Sequence, residues 1–119
     1  MELIFKICGR EEWRAADEAG VYRGSAVDLS DGFIHFSTAA QTAETAAKHF
    51  AGRDDLLLIA VDSTELGTAL RFEPSRGGAL FPHLYAPLPL SAVRWVEPMP
   101  LGDDGRHHLP AAMPAQPRS

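Results

Sequence analysis

The stretch DGFIHFST (Asp31 to Thr38) runs directly into AAQTAETAAKHF (Ala39 to Phe50), and after a short polar connection the chain continues as LLLIAV (Leu56 to Val61). Phe33 to Ser37, aromatic and β-branched in character, reads as a strand. Thr38 and Gln41 stand at capping-box spacing. They open a helix over about Ala39 to Phe50, in which Ala39, Ala43, Ala46, Ala47 and Phe50 recur at helical intervals. So thin an apolar face suits close packing on a sheet. Leu56 to Val61 is apolar without interruption and reads as a central strand covered on both faces. Strand, helix and buried strand in succession set the class as α+β.

The flanking sequence extends this frame. LIFKIC (Leu3 to Cys8), closed by Gly9 and broken by one lysine, is a first strand, and Glu11 to Ala19 is a helix ending at Gly20. Val21 to Gly32 is rich in turn formers and reads as an irregular surface connection. Beyond Val61 the pattern gives a turn at Asp62 to Gly67, a strand at Leu70 to Glu73, a loop at Pro74 to Gly78, and strands at Leu80 to Tyr85 and Val93 to Glu97. Pro82 places the strand that holds it at a sheet edge or beside a bulge. The expected architecture is a compact mixed sheet of five or six strands with two helices, built from residues 1–97. Residues 98–119 hold five of the nine prolines and no periodic apolar pattern, and are expected to be a disordered tail.

A chain of 119 residues suits one domain, and 45% hydrophobic with 23% charged residues is ordinary globular composition. No apolar run has the length of a membrane span, and no signal-peptide pattern opens the chain, so a cytoplasmic location without membrane attachment is expected. The formal charge of −5 argues against general nucleic-acid binding. Cys8 is the single cysteine, which excludes an intrachain disulfide and a cysteine-based zinc site within one chain.

Alternation along strands puts Phe33, His35 and Ser37 on one face, and Phe81, His83 and Tyr85 on one face of the later segment. Each stripe runs from a phenylalanine to polar groups, as where a core opens into a cleft. At Ser37 and Thr38 the hydroxyls cap the helix or, with its free N–H groups, hold an anion. His35 and His83 are either hydrogen-bonded core residues or ligand contacts. Tyr85 is a ligand contact or an amphipathic packing residue. Arg76, followed by two glycines, offers a guanidinium to an anion or simply forms a turn. Glu73 and Asp31 are candidate acids or bases beside the cleft, with turn and surface roles as the alternative. Two dispersed histidines give no metal-site pattern, so no metal is expected. His49, His107 and His108 read as incidental.

Taken together, DGFIHFSTAAQTAETAAKHF, LLLIAVD and RFEPSRGGALFPHLYAPLPLSAV resemble a family of short bacterial proteins grouped as domain of unknown function 952. The resemblance spans about Leu3 to Val96 and includes Trp13, Tyr22, Gly24 and Asp28. More distantly, the step His35-Phe36-Ser37 into an alanine-bearing helix is similar to the ADP-ribosyltransferase and RNA 2'-phosphotransferase superfamily. That resemblance implies an ADP-ribosyltransferase-like fold and a nucleotide-type ligand, with NAD as a substrate. It implies His35 at a ribose or phosphate and Ser37 with Thr38 lining the groove. The first strand lacks the Arg or His that the superfamily places there, and Glu73 is the nearest match to its catalytic glutamate. His35, His83 and Glu73 are thus the candidate catalytic residues, with Ser37, Thr38, Arg76 and Tyr85 as ligand contacts. The competing expectation is a non-enzymatic module that binds a small metabolite or peptide.

Overall fold

The computed structural model describes residues 2–113, the side chain of Arg76 excepted. The strands are β1 (Leu3–Gly9), β2 (Val21–Tyr22), β3 (Ile34–His35), β4 (Leu56–Asp62), β5 (Leu70–Pro74), β6 (Leu80–Leu84), β7 (Leu88–Pro89) and β8 (Val93–Pro98). The α-helices are α1 (Arg10–Ala19), α2 (Ala26–Asp31) and α3 (Ala39–His49). One sheet has the order β1-β4-β8, a second β3-β6-β5, and β2 pairs with β7.

β4 holds the centre of the first sheet, as its unbroken apolar run predicts. Ile59 and Val61 face one core cluster with Ile4, Trp13, Tyr22 and Leu84. Leu56, Leu58 and Ala60 face a second with Phe5, Ile7 and Ala46. The chain is α+β, but three expectations need correction. The described residues form eight strands in three sheets, not one sheet of five or six. All the strand pairings among the described residues are antiparallel, so the sheets are not mixed. Among the described residues there are three α-helices instead of two, because Ala26–Asp31, expected as loop, is helical. Its N-cap Ser25 accepts from the Asp28 N–H while Asp28 accepts from the Ser25 N–H, a complete capping box inside a turn-rich stretch.

Pro82 also departs from expectation: it lies in β6, the middle strand of its sheet. The Phe36 N–H donates to Pro82 O at 3.0 Å, but proline has no N–H to return to Phe36. The β3–β6 ladder therefore stops after two residue pairs, and the chain changes partner. Ser37 exchanges both backbone hydrogen bonds with Phe5 of β1, each 2.8 Å. That single bridge joins the two three-stranded sheets edge to edge, and a crevice opens where β1 and β3 part.

The buried stripe of α3 is rotated from the expected alanine face: Thr42 and Ala46 are buried, while Ala43 and Ala47 are exposed. Thr42 is tolerated inside because its hydroxyl donates to Thr38 O, so no polar group is left unpaired. No helix among the described residues is long and apolar enough to cross a membrane.

The segment after Pro98, expected to be disordered, follows a defined course to Met113. Met99 is fully buried in the second core cluster, and its N–H donates to Leu56 O. Leu109 and Met113 pack against the same cluster. Residues 114–119, also assigned to that tail, lie outside the described residues. Met99→Ala should accordingly cost about 2–5 kcal/mol in chemical denaturation. A loss below about 0.5 kcal/mol would place this residue outside the core.

Candidate functional site

The site is organised by a residue outside the two histidine segments. Asp28 is the third residue of α2, where its capping role alone would leave it on the surface. It is instead buried, and Gly24 explains how: at φ 117 the backbone comes so close that a Cβ there would lie 2.7 Å from Asp28 Cβ. One carboxylate oxygen accepts from the Ser25 N–H and from Lys6 Nζ at 2.8 Å. The other accepts from the His35 N–H at 3.1 Å and meets His35 Nδ1 at 2.6 Å. Burial pushes this carboxyl toward its neutral form, but the His35 hydrogen bond, the Lys6 charge and the Ser25 N–H outweigh burial and hold it well below the ordinary value of 3.8.

Lys6 is the one charge in the apolar run of β1, and it is buried with its partner. Its ammonium also donates to His35 O at 3.0 Å. Three segments distant in sequence, β1, α2 and β3, thus converge on one carboxylate.

His35 and His83 are direct partners in the β3–β6 register, so their side chains stand on the same face. Their ring centroids are 5.5 Å apart, nearly edge to face. Arg71 is the partner of His83 across β5, and Glu73 that of Phe81, which brings both onto this face. Glu73 Oε1 accepts from Tyr85 OH at 2.7 Å and lies 2.9 Å from His83 Nδ1. The Tyr85 hydroxyl, then His83, hold the Glu73 carboxyl below its ordinary range, and the same bond pushes the Tyr85 phenol up. Arg71 lies over the Tyr85 ring, 5.1 Å from its centroid. Phe33 stacks on His83 at 4.1 Å and tilts against His35 at 4.6 Å, so one phenylalanine clamps both imidazoles.

A cleft of about 570 Å³ lies where the sheets part. Lys6, Asp28, Asp31, His35, Ser37 and His83 supply polar wall, and Phe5, Phe36 and Phe81 apolar wall. This is the size and composition of a small-molecule site. Of the expected residues, Asp31, His35, Ser37 and His83 are brought together on it. The Ser37 hydroxyl is turned to Thr45 Oγ1 at 3.1 Å, so its side chain ties β3 to α3. Thr38, Glu73 and Tyr85 are not among the residues lining the cleft; Glu73 and Tyr85 act on it through His83. Thr38 opens α3, its N–H donating to Gln41 Oε1. The expected anion contact at the Arg76 side chain lies outside the described residues. Glu12, Arg53 and His49, the last expected to be incidental, also line the cleft. Among the described residues no three His, Cys, Asp or Glu side chains group as metal ligands.

Asp28 and Lys6 escaped the reading of the sequence as site residues. The signals were present as Ser25-x-x-Asp28, a capping-box spacing, and as one lysine in an otherwise apolar strand.

The fold and site define a small α+β protein with antiparallel sheets and a histidine cleft at their junction. The chain belongs to the family described as protein of unknown function DUF952, whose model matches residues 7–96. It is similar to the crystal structure of protein CC0527 from Caulobacter crescentus, with a TM-score of 0.86 and 52% identity over 89% of this chain and 93% of that one. The solution NMR structure of CC0527 gives a TM-score of 0.80 at 53% identity, covering 89% of this chain and 91% of that one. No curated protein matches the chain.

Because folding holds the Asp28 carboxyl below 3.8, the unfolded chain binds its proton more readily. The stability this contributes is complete above about pH 5 and drains as pH falls through and below about 4. Asp28→Asn should flatten that acid limb in denaturation measured from pH 6 to pH 3. At pH 7, Lys6→Met should cost about 3–5 kcal/mol, because it strands a buried carboxylate. A change under 1 kcal/mol would count against the ion pair as a structural hub.

Proposed function

We propose that the cleft binds a nucleotide-type ligand, with NAD or ADP-ribose as the leading candidates, and that the protein is an ADP-ribosyltransferase-like transferase. The observation that carries this reading is the register-paired His35 and His83, each held at Nδ1 by a carboxylate, beside Lys6 in a cleft with aromatic walls. Carboxylate-held imidazoles have a fixed ring orientation; with Nδ1 engaged, Nε2 is the atom left to meet a ligand at His83, while at His35 it lies 3.0 Å from Asp31 Oδ2. Mixed aromatic and cationic walls suit a molecule with planar rings and phosphates.

Lys6 bears on the departure noted in the sequence. The first strand has no Arg or His, yet its lysine supplies a cation at the β1 side of the same cleft. Transfer from NAD would break the bond between ribose C1' and the nicotinamide nitrogen and form one from C1' to the acceptor. The centre becomes cation-like on the way, so fixed carboxylates assist by electrostatics and positioning. Glu73, outside the cleft lining, would contribute through His83, whose ring its carboxylate orients at Nδ1. Phosphoryl-related transfer at a 2'-phosphate would draw on the same cationic groups.

A second reading, binding of a small metabolite or peptide without turnover, is favoured by one specific feature. His35 has a carboxylate close to each ring nitrogen and His83 is 5% exposed behind Phe33, an arrangement suited to holding a ligand more than to moving protons.

Calorimetric titration with ADP-ribose and NAD should show saturable binding. His35→Ala and His83→Ala should each weaken it about tenfold or more, the scale of one lost charge-assisted hydrogen bond. No binding by the wild type, or binding unchanged in both variants, would remove the nucleotide assignment. Release of nicotinamide from labelled NAD, abolished in His83→Ala, would decide for transfer over simple binding.

A further inference from the structure

The two carboxylates beside His35 are unequal. Nδ1 lies 2.6 Å from Asp28 Oδ1, and Nε2 lies 3.0 Å from Asp31 Oδ2. A neutral imidazole carries one N–H, so one ring nitrogen would turn its lone pair toward a carboxylate oxygen. A ring protonated at both nitrogens meets both carboxylates with N–H groups. The neighbourhood then balances: Lys6 and His35 contribute two positive charges, Asp28 and Asp31 two negative ones.

Asp28 is fixed in this balance by burial and by donors from Ser25, Lys6 and His35. Asp31 is not. It is the last residue of α2, its side chain is 46% exposed, and Gly32 follows at φ 87 as the helix cap. It can leave His35 for water by rotating its side chain, without disturbing Asp28. Both Asp31 and His35 line the cleft, so the Nε2 position is reached from the ligand side.

From this geometry we infer that the Asp31 carboxylate is an internal stand-in for the ligand: an oxyanion of the phosphate type takes its place at His35 Nε2, and Asp31 swings into solvent. This rests on the nucleotide reading above and adds to it the atom that meets the phosphate. Asp31 then acts as a competing anion. It holds His35 oriented when the cleft is empty, and it lowers affinity for any weaker anion. When the phosphate arrives, His35 Nε2 exchanges one oxyanion for another. The charge on Asp31 is hydrated in the bound state instead of lying beside the incoming phosphate, where like charges would repel.

The test is calorimetric titration with inorganic pyrophosphate, alongside ADP-ribose, after thermal melts have shown each variant to be folded. Asp31→Ala should bind pyrophosphate about tenfold more tightly than wild type, since a charge-assisted contact no longer has to be displaced. Asp17→Ala removes an equal charge from exposed α1 and should change affinity less than twofold. The gain should vanish in Asp31→Ala with His35→Gln. If Asp31→Ala gains nothing while His35→Gln still weakens ADP-ribose binding, the stand-in role is overturned and the nucleotide cleft survives. A gain that persists without His35 also overturns it, as a general charge effect. If neither ligand binds wild type or any variant, both readings fall.

Discussion

The interaction on which the rest depends is the four-donor shell around the Asp28 carboxylate. A buried carboxylate is costly in isolation, and folding reaches this arrangement only when α2, β1 and β3 each deliver their donors to the same two oxygens. Its consequences are architectural before they are chemical. The same bonds that satisfy Asp28 fix the start of α2, hold Lys6 away from water and orient the His35 ring. Removing any one donor leaves a buried carboxylate oxygen with a single partner, so the site and the fold share their stability. Gly24 makes this possible through the absence of a side chain, because any Cβ there would collide with Asp28.

A second constraint comes from Pro82. Its missing N–H ends the β3–β6 ladder after His35, and Ser37 then pairs with β1. A longer β3 would continue along β6, whereas the observed strand switches neighbours and joins two sheets by one bridge. The cleft lies at that junction. His35 is the last paired residue of β3 before the switch, and it lines the opening. The residue that seemed to demote its strand to an edge is therefore one that helps open the crevice in the sheet's interior.

Support behind the histidines follows a repeated pattern. Asp28 holds one Nδ1 and Glu73 the other, and Phe33 packs against both rings. The two sides differ in solvent access. Asp28 is sealed and tied to Lys6, while Glu73 is shared with Tyr85 near the surface. The two imidazoles thus occupy different electrostatic settings 5.5 Å apart. Membership of the DUF952 family and the likeness to CC0527 place this arrangement in a shared fold.

The sequence by itself determined the α+β class, the central place of LLLIAV, the C-terminal limit of α1 and the two histidine stripes. All of these rest on local periodicity, which one segment expresses without help from others. Even the face-to-face meeting of His35 and His83 was half legible, since alternation fixed each stripe though not their register. What only the tertiary structure decided is which distant groups complete one another. Asp28 read as a turn residue and Lys6 as an interruption because the meaning of each is a partner 22 residues away. The short α2, the rotated face of α3 and the packing of Met99 have the same cause. A buried polar atom or an isolated apolar residue is stabilised by what lies across the core, and that information appears only when the chain closes on itself.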